Sequence, residues 1–441
     1  MAEIIRNLEI TSLVHGGRGI GRHEGKAVFV PLVAPGDRID CRVVKSKKRF
    51  AEAELTEILV PSPFRREPPC AFFGACGGCQ WQHLPYSEQL RWKGQNFSDQ
   101  LVRSKMVQAD RIKPIVAAPE EWRYRNRVQL KTHFSADGLA IGFYRHGSHS
   151  VVDIDHCRLV APPIQKVLSL LRENLQGMDN AESVEQVDLA CGDDGTVRLL
   201  LHVHPEGYES LRGQLQNFAE RCSLNACIKS VGQGSVEIVS GEGELTVSID
   251  QPALALRYGP GGFVQVNSKQ NRAMVSNMLE LLDLKGNEKV LDLFCGMGNF
   301  SLPLARKAGH VVGVEDYAPS IDMARLNAEA NQVGNVEFFA ADASAIIDRF
   351  KGENPDLVVL DPPRTGNYEV VNQLLQLKPK RVLYVSCDPA TLARDLVPLF
   401  IGGYEVISSQ PFDLFPQTWH IESMTCCRKS RIELLESRFG S

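Results

Sequence analysis
From about residue 285 the chain settles into a rhythm that few architectures can satisfy. Short apolar runs (KVLDLF, HVVGVED, NVEFFAAD, DLVVLDPPR, RVLYVSC) alternate with amphipathic stretches such as IDMARLNAEANQ, ASAIIDRF, VVNQLLQL and TLARDLVPLFI. Runs that are nearly continuously apolar belong to strands covered on both faces, and such strands are parallel and joined by crossover helices. The pattern predicts a doubly wound, Rossmann-like α/β domain over residues 258–441.

In an open sheet of this kind ligands bind outside the carboxyl ends of the strands, so the residue that ends each run is where chemistry is expected. Gly296 and Gly298 follow the first run in VLDLFCGMGNFSL, where the missing Cβ lets backbone approach a ligand. Glu315 closes the second run, 19 residues after Gly296, a position from which a carboxylate can accept hydrogen bonds from both ribose hydroxyls of an adenosine cofactor. Asp342 and Asp361 end the next two runs. The loop reads GMGNFS and lacks the third glycine of GxGxxG, so S-adenosylmethionine, with no pyrophosphate to cradle, fits better than a nicotinamide cofactor, which stays open. Cys387 ends the fifth run beside the DPPR loop at 361–364. A strand-terminal cysteine is usually a small buried hydrophobe. Here the helix starting just after it, whose N-terminal dipole favours a thiolate, and the cofactor edge beside it point to a nucleophile. His420 and Glu422, two apart in PQTWHIESM, would point the same way from a strand.

Upstream, residues 1–60 alternate short β-rich runs with Gly and Pro turns, the pattern of a small β-barrel. The whole chain carries a formal charge of −4, so a polyanion site must come from local clusters. Arg42, Lys45, Lys47, Lys48 and Arg49 form one such cluster with no acid among them. It suits a solvated strand edge or an oligonucleotide-binding strand equally. The proline-rich PSPFRREPPC reads as a linker, and residues 61–257 then mix helical and strand pieces, a second α/β unit. In WRYRNRVQLK, Arg123, Arg125 and Arg127 recur at period two with Lys131 beyond, which on a strand would form a phosphate-contacting face.

No apolar run approaches the length of a membrane span, and MAEIIRNLEITS carries charges where a signal peptide has none, so a cytoplasmic protein is expected. Its twelve cysteines are then read as ligands or catalytic groups rather than disulfides. Cys70, Cys76 and Cys79 lie in the Gly-rich CAFFGACGGC, with Cys157 the best fourth ligand and Cys41 a distant second. Without paired CxxC knuckles an iron–sulfur cluster is favoured over zinc, which spacing alone leaves open.

Taken together the barrel, CxxxxxCGGC with its distant cysteine, FVQVN, DLFCGMGNFS, DPPR, SCDPATLARD and HIESM resemble the TRAM-domain RNA uracil-5-methyltransferases over nearly the whole chain. The likeness is strongest to the branch acting on 23S ribosomal RNA. The resemblance implies that Cys70, Cys76, Cys79 and Cys157 hold a 4Fe-4S cluster, that Cys387 adds to carbon 6 of uracil, and that Glu422 is the base. It implies too that Gln265, Phe294, Asn299, Glu315, Asp342 and Asp361 surround S-adenosylmethionine, and that a monomer acts on 23S ribosomal RNA, away from membranes. Three positions depart from the family form: Asp388 where Asn is familiar, Asp342 where Asn can occur, and Trp419 where a smaller residue precedes the His. Methylation of another ribosomal or transfer RNA uridine, and a non-catalytic RNA-binding assembly factor, are the alternative readings.

Overall fold
A computed structural model describes residues 3–136 and 138–430. Strands β1 (Ile4–Leu13), β2 (Gly19–His23), β3 (Lys26–Val30), β4 (Arg38–Ser46) and β5 (Phe50–Val60) close into a barrel in the order β1-β2-β3-β5-β4. Strand alternation turns Leu8 and Ile10, Val28 and Val30, and Ile39 and Cys41 into its core, and Ile5 joins them because the β1 register shifts between Ile5 and Leu8, where Asn7 takes φ 55°. Cys41 is thus a packed barrel residue among aliphatic side chains. Of the basic run, Arg42 and Lys45 pair across strands with Glu54 and Glu52, while Lys47, Lys48 and Arg49 sit exposed at the β4–β5 turn.

Helix α1 (Tyr86–Arg103) falls within the 61–257 stretch but packs on the C-terminal sheet, where Phe97 and Leu101 share a core with Leu291, Val358, Tyr384 and Leu396. Lys93 and Asp413, both fully buried, are paired at 2.6 Å, and the same ammonium donates to the Phe415 carbonyl at 3.0 Å. An amphipathic helix announces an apolar face but not the sheet that will cover it.

The central sheet contains β6 (Arg127–Ser135), β7 (Gly138–Tyr144), β8 (Val151–Asp153), β9 (Val184–Cys191), β10 (Val197–Val203), β11 (Asn225–Ser230) and β12 (Glu237–Ser240), in the order β12-β11-β10-β9-β6-β7-β8. Helices α2 (Pro162–Leu175) and α3 (Tyr208–Cys222) pack on it through Val167, Leu171, Leu215 and Phe218. The expected arginine face does not form. β6 begins only at Arg127, Arg123 adopts φ 56°, and Tyr124 turns inward to donate its hydroxyl to the Pro416 carbonyl at 3.0 Å. The reason is competition: buried anchors at Tyr124 and Asn126 hold the segment out of β6, so Arg123, Arg125 and Arg127 do not share a strand face.

The hairpin β13 (Leu245–Ile249) and β14 (Leu254–Tyr258) packs on the C-terminal domain, with Leu256 and Tyr258 in a core that includes Met297, Leu302 and Ile321. After α4 (Ser268–Leu282) come β15 (Lys289–Leu293), α5 (Ser301–Ala305), β16 (His310–Glu315), α6 (Ala318–Ala330), β17 (Val336–Ala340), α7 (Ala343–Arg349), β18 (Leu357–Leu360), α8 (Tyr368–Leu374), β19 (Arg381–Ser386), α9 (Pro389–Ile401), β20 (Tyr404–Phe412) and β21 (Glu422–Lys429). The sheet order is β17-β16-β15-β18-β19-β21-β20, parallel as far as β19, with β21 antiparallel between β19 and β20. Strand order reverses between β15 and β18, which opens a crevice at the carboxyl edge. Among the described residues no helix is long and apolar enough to cross a membrane.

Candidate active site
The crevice begins where β15 ends. Phe294, Gly296 and Gly298 take positive φ of 66°, 54° and 95°, folding the chain back in a tight turn in which the Gly298 amide donates to the Cys295 carbonyl at 3.0 Å. A Cβ on Gly298 would stand 3.2 Å from Leu302, in backbone geometry that already favours glycine. Glu315 accepts from the Gly296 amide at 3.3 Å with one oxygen and from the Tyr317 amide at 3.1 Å with the other. Gln265, Phe294, Gly296, Met297, Asn299 and Asp361 line one cavity. Asn126 secures its upper wall by donating to the Gln265 carbonyl at 3.0 Å, and Asn299 is fixed by reciprocal amide bonds with Asn271. Asp342 stands apart: exposed, it caps α7 by accepting from the Ser344 and Ala345 amides.

Acidic groups crowd this cavity. Burial, then repulsion from Glu315, pushes the Asp361 carboxyl up to about 7. Asp292, within β15, is likewise raised to about 7 by burial, against the hydrogen bond Ser301 donates at 2.5 Å and with help from Asp361 and Glu315. Glu315 is raised by burial and by Asp316. Carboxyls that repel one another where little water reaches them favour a positive ligand charge, and the sulfonium of S-adenosylmethionine carries one. The donor set fits that cofactor. Asp292 was not singled out from sequence; an acid inside an otherwise apolar run was its one signal.

Cys387 and Glu422 are brought together by strand register. β19 and β21 pair with Ser386 opposite Ser423, whose hydroxyl donates to the Ser386 carbonyl at 3.0 Å. One step beyond that pair, forward from Ser386 and back from Ser423, the same register sets Cys387 across from Glu422. Glu422 is 5% exposed and its carboxyl is pushed well above the ordinary range by burial and then by Asp361. The Cys387 thiol is pushed up to about 12, by burial, then Glu422 and Asp361, with Arg364 opposing. In the ligand-free protein it is a thiol, not the dipole-favoured thiolate expected from its place before α9, because burial and three carboxyls outweigh half a unit of helix charge. His420 lies outside β21, so it does not share a strand face with Glu422; burial and Arg364 push its imidazole down to about 4.

The loop ahead of Glu422 is held from several directions. Gln89 of α1 accepts from the Gln417 amide at 2.8 Å, the Gln80 and Trp81 amides donate to the Gln417 carbonyl, and Tyr124 holds Pro416. Residues that sequence spacing never linked thus build one wall of the site.

Some distance along the chain from these groups, Cys70, Cys76, Cys79 and Cys157 line a common cavity of about 40 Å³ together with Arg125. Burial raises Cys76 to about 11 and Cys79 to about 12, and the neighbouring cysteines add to both shifts. Nε of Arg125 is buried with no hydrogen-bond partner among the described residues. Among those residues no group of three His, Cys, Asp or Glu side chains is arranged to hold a single metal ion.

A sheet of this order with an inserted antiparallel strand, a glycine turn after the first strand and an acid ending the second defines a class, the S-adenosylmethionine-dependent methyltransferase fold. More narrowly, the chain belongs to the tRNA (uracil-5-)-methyltransferase family, whose model matches residues 86–430, and a TRAM domain matches residues 5–56. Two relatives bearing the name 23S rRNA (uracil(1939)-C(5))-methyltransferase, from Shewanella amazonensis and Pseudomonas putida, are each 38% identical over 95% of this chain and over 94% and 92% of their own lengths. The crystal structure of Pyrococcus abyssi tRNA (uracil-54, C5)-methyltransferase with S-adenosyl-L-homocysteine matches at a TM-score of 0.74 and 25% identity, covering 96% of this chain and all of that one.

Proposed function
We propose that this chain methylates carbon 5 of a uridine in 23S ribosomal RNA, at the site that its relatives' names number 1939, with Cys387 as nucleophile and Glu422 as base. The observation that carries the reading is the register that sets Cys387 across from Glu422, both of them electrostatic neighbours of Asp361, which lines the cavity. Carbon 5 of uracil is a weak nucleophile. Addition of the Cys387 sulfur at carbon 6 makes an enolate, and carbon 5 then carries the electron density to form a carbon–carbon bond. S-adenosylmethionine, when bound, supplies the methyl group on a cationic sulfur. Positive charge in the cavity offsets the repulsion that Glu422 and Asp361 exert on the Cys387 sulfur and so favours its ionised form. A Glu422 oxygen next takes the carbon 5 proton, and the Cys387 sulfur leaves as the 5,6 double bond returns.

A stacked base cannot present both faces, so the uridine must be turned out of its helix or come from a loop. The exposed Lys47, Lys48 and Arg49 at the barrel turn would hold flanking phosphates. In this reading residues 1–60 bind RNA, 61–257 carry the cysteine cavity, and 258–441 perform the transfer. Transfer of labelled methyl to unmodified 23S transcript, followed by nuclease mapping, tests it. Label in 5-methyluridine at one position is expected, with a KM for RNA that climbs with salt; label only in transfer RNA would overturn the substrate, and none in either would overturn the activity.

The four cysteines we assign to a 4Fe-4S cluster. All four side chains line one cavity, and thiolates gathered in a Gly-rich loop are the ligands such a cluster takes. Arg125 would face the cluster's negative charge, giving its Nε a partner. Protein purified without oxygen should carry iron and acid-labile sulfide in equal amounts with a broad visible absorption, lost in Cys157→Ala. Colourless, iron-free protein that folds and methylates normally would sink the assignment.

A further inference from the structure
Two of the three departures from the family form meet at a single barrel residue. His15, in the turn between β1 and β2, places Nε2 3.2 Å from Oδ2 of Asp388, 373 residues away in sequence. Its ring stands edge-on to Trp419, with centroids 4.6 Å apart and planes at 78°. The apposition is close: a Cβ on Gly17 would stand 2.7 Å from Trp419, and the indole of Trp81 donates to the Gly17 carbonyl at 3.0 Å. Arg364 of the DPPR loop stacks over Trp419 on the outside, at 5.1 Å.

The placement of these partners gives the contact a role. Asp388 follows Cys387 directly and caps α9, with Oδ1 accepting from the Ala390 and Thr391 amides at 2.9 and 3.0 Å. Trp419 stands three residues before Glu422. We propose that His15 is a positioning residue that seats the barrel on both segments bearing the reactive groups, so that RNA held by the barrel and the sulfur of Cys387 are brought into register. The inference rests on the uridine-methylation reading above. An Asn at 388 would cap α9 equally well and bring no charge. An Asp adds a negative charge beside the nucleophile, one of the influences that raises the Cys387 thiol. The His15 hydrogen bond is the largest influence holding the Asp388 carboxyl down at about 2, which places that charge on the barrel side. His15 and Asp388 thus act as a matched pair in this chain.

The test compares wild type, His15→Ala, His15→Gln, Asp388→Asn and the His15→Ala/Asp388→Asn double variant in methyl transfer to 23S transcript, with both substrates saturating. His15→Ala should lower kcat about tenfold with KM for S-adenosylmethionine within about twofold, the signature of a displaced reacting group. His15→Gln, which keeps a donor, should recover most of the loss and serves as the probe if the alanine variant folds poorly. The double variant should fall little further than His15→Ala, because the contact is already lost when either partner is removed. Unchanged kcat in His15→Ala, or a double variant markedly slower than His15→Ala, would overturn the inference while leaving uridine methylation intact. Absence of transfer by the wild type would overturn both.

Discussion
Cys387→Ala is expected to lose methyl transfer altogether, with kcat falling by at least about ten-thousand-fold and no denaturant-stable complex forming with RNA. The size of the effect follows from the chemistry: without a bond at carbon 6 there is no enolate, and carbon 5 keeps the reactivity of free uracil. No other thiol can substitute. Cys295, the other cysteine close to the cofactor cavity, is 4% exposed, held by burial well above the ordinary thiol range, and directed at the Gly296 carbonyl. Turnover assays on purified variant with a folded-state check by circular dichroism decide the matter, and residual turnover above about one per cent would rule out an obligatory nucleophile.

Glu422→Gln should behave differently, although it sits across the strand pair from Cys387. Attack and methyl transfer need no proton acceptor on carbon 5, whereas release does. The variant should therefore accumulate a methylated RNA–protein adduct that survives denaturing electrophoresis and carries label from S-adenosylmethionine, while free product slows by about a thousandfold. Glutamine also removes a carboxyl that raises the Cys387 thiol, so adduct formation itself should not suffer. Free 5-methyluridine released at the wild-type rate would mean that another group takes the proton.

These two variants rest on a contrast in what could be read in advance. Gly296, Glu315, Asp361 and Cys387 were placed at one edge because parallel strands all end on the same side of their sheet, so that a residue's position at the end of an apolar run is already a position in space. The barrel followed from strand length and turn residues, and the burial of Val28 with Val30 and of Ile39 with Cys41 is the alternation seen in the letters, whereas Ile5 reaches the same core only through a register shift in β1. The pairing of Cys387 with Glu422 was implied only by family likeness; its geometry comes from an antiparallel strand inserted between β19 and β20, a topology that no local periodicity encodes.

Where local reading failed, a distant partner decided. The arginine stripe at 123–127 lost its strand because Tyr124 and Asn126 are tied to Pro416 and Gln265. The helix dipole lost at Cys387 because the fold buries the thiol and brings Glu422 and Asp361 beside it. Asp342, which the resemblance places at the cofactor, also caps α7 through Oδ1, as an Asp preceding a helix does.

By itself the sequence determined which segments are strands or helices, which faces are buried and which reactive residues end up at the carboxyl edge, because periodicity of two or of 3.6 converts directly into burial. Only the tertiary structure decided that α1 covers the C-terminal sheet, that the four cysteines share one cavity, and that His15 reaches Asp388. Those contacts depend on shape and charge matching between segments far apart in the sequence, and the free energy of such a match is a property of the assembled surfaces and of neither segment alone.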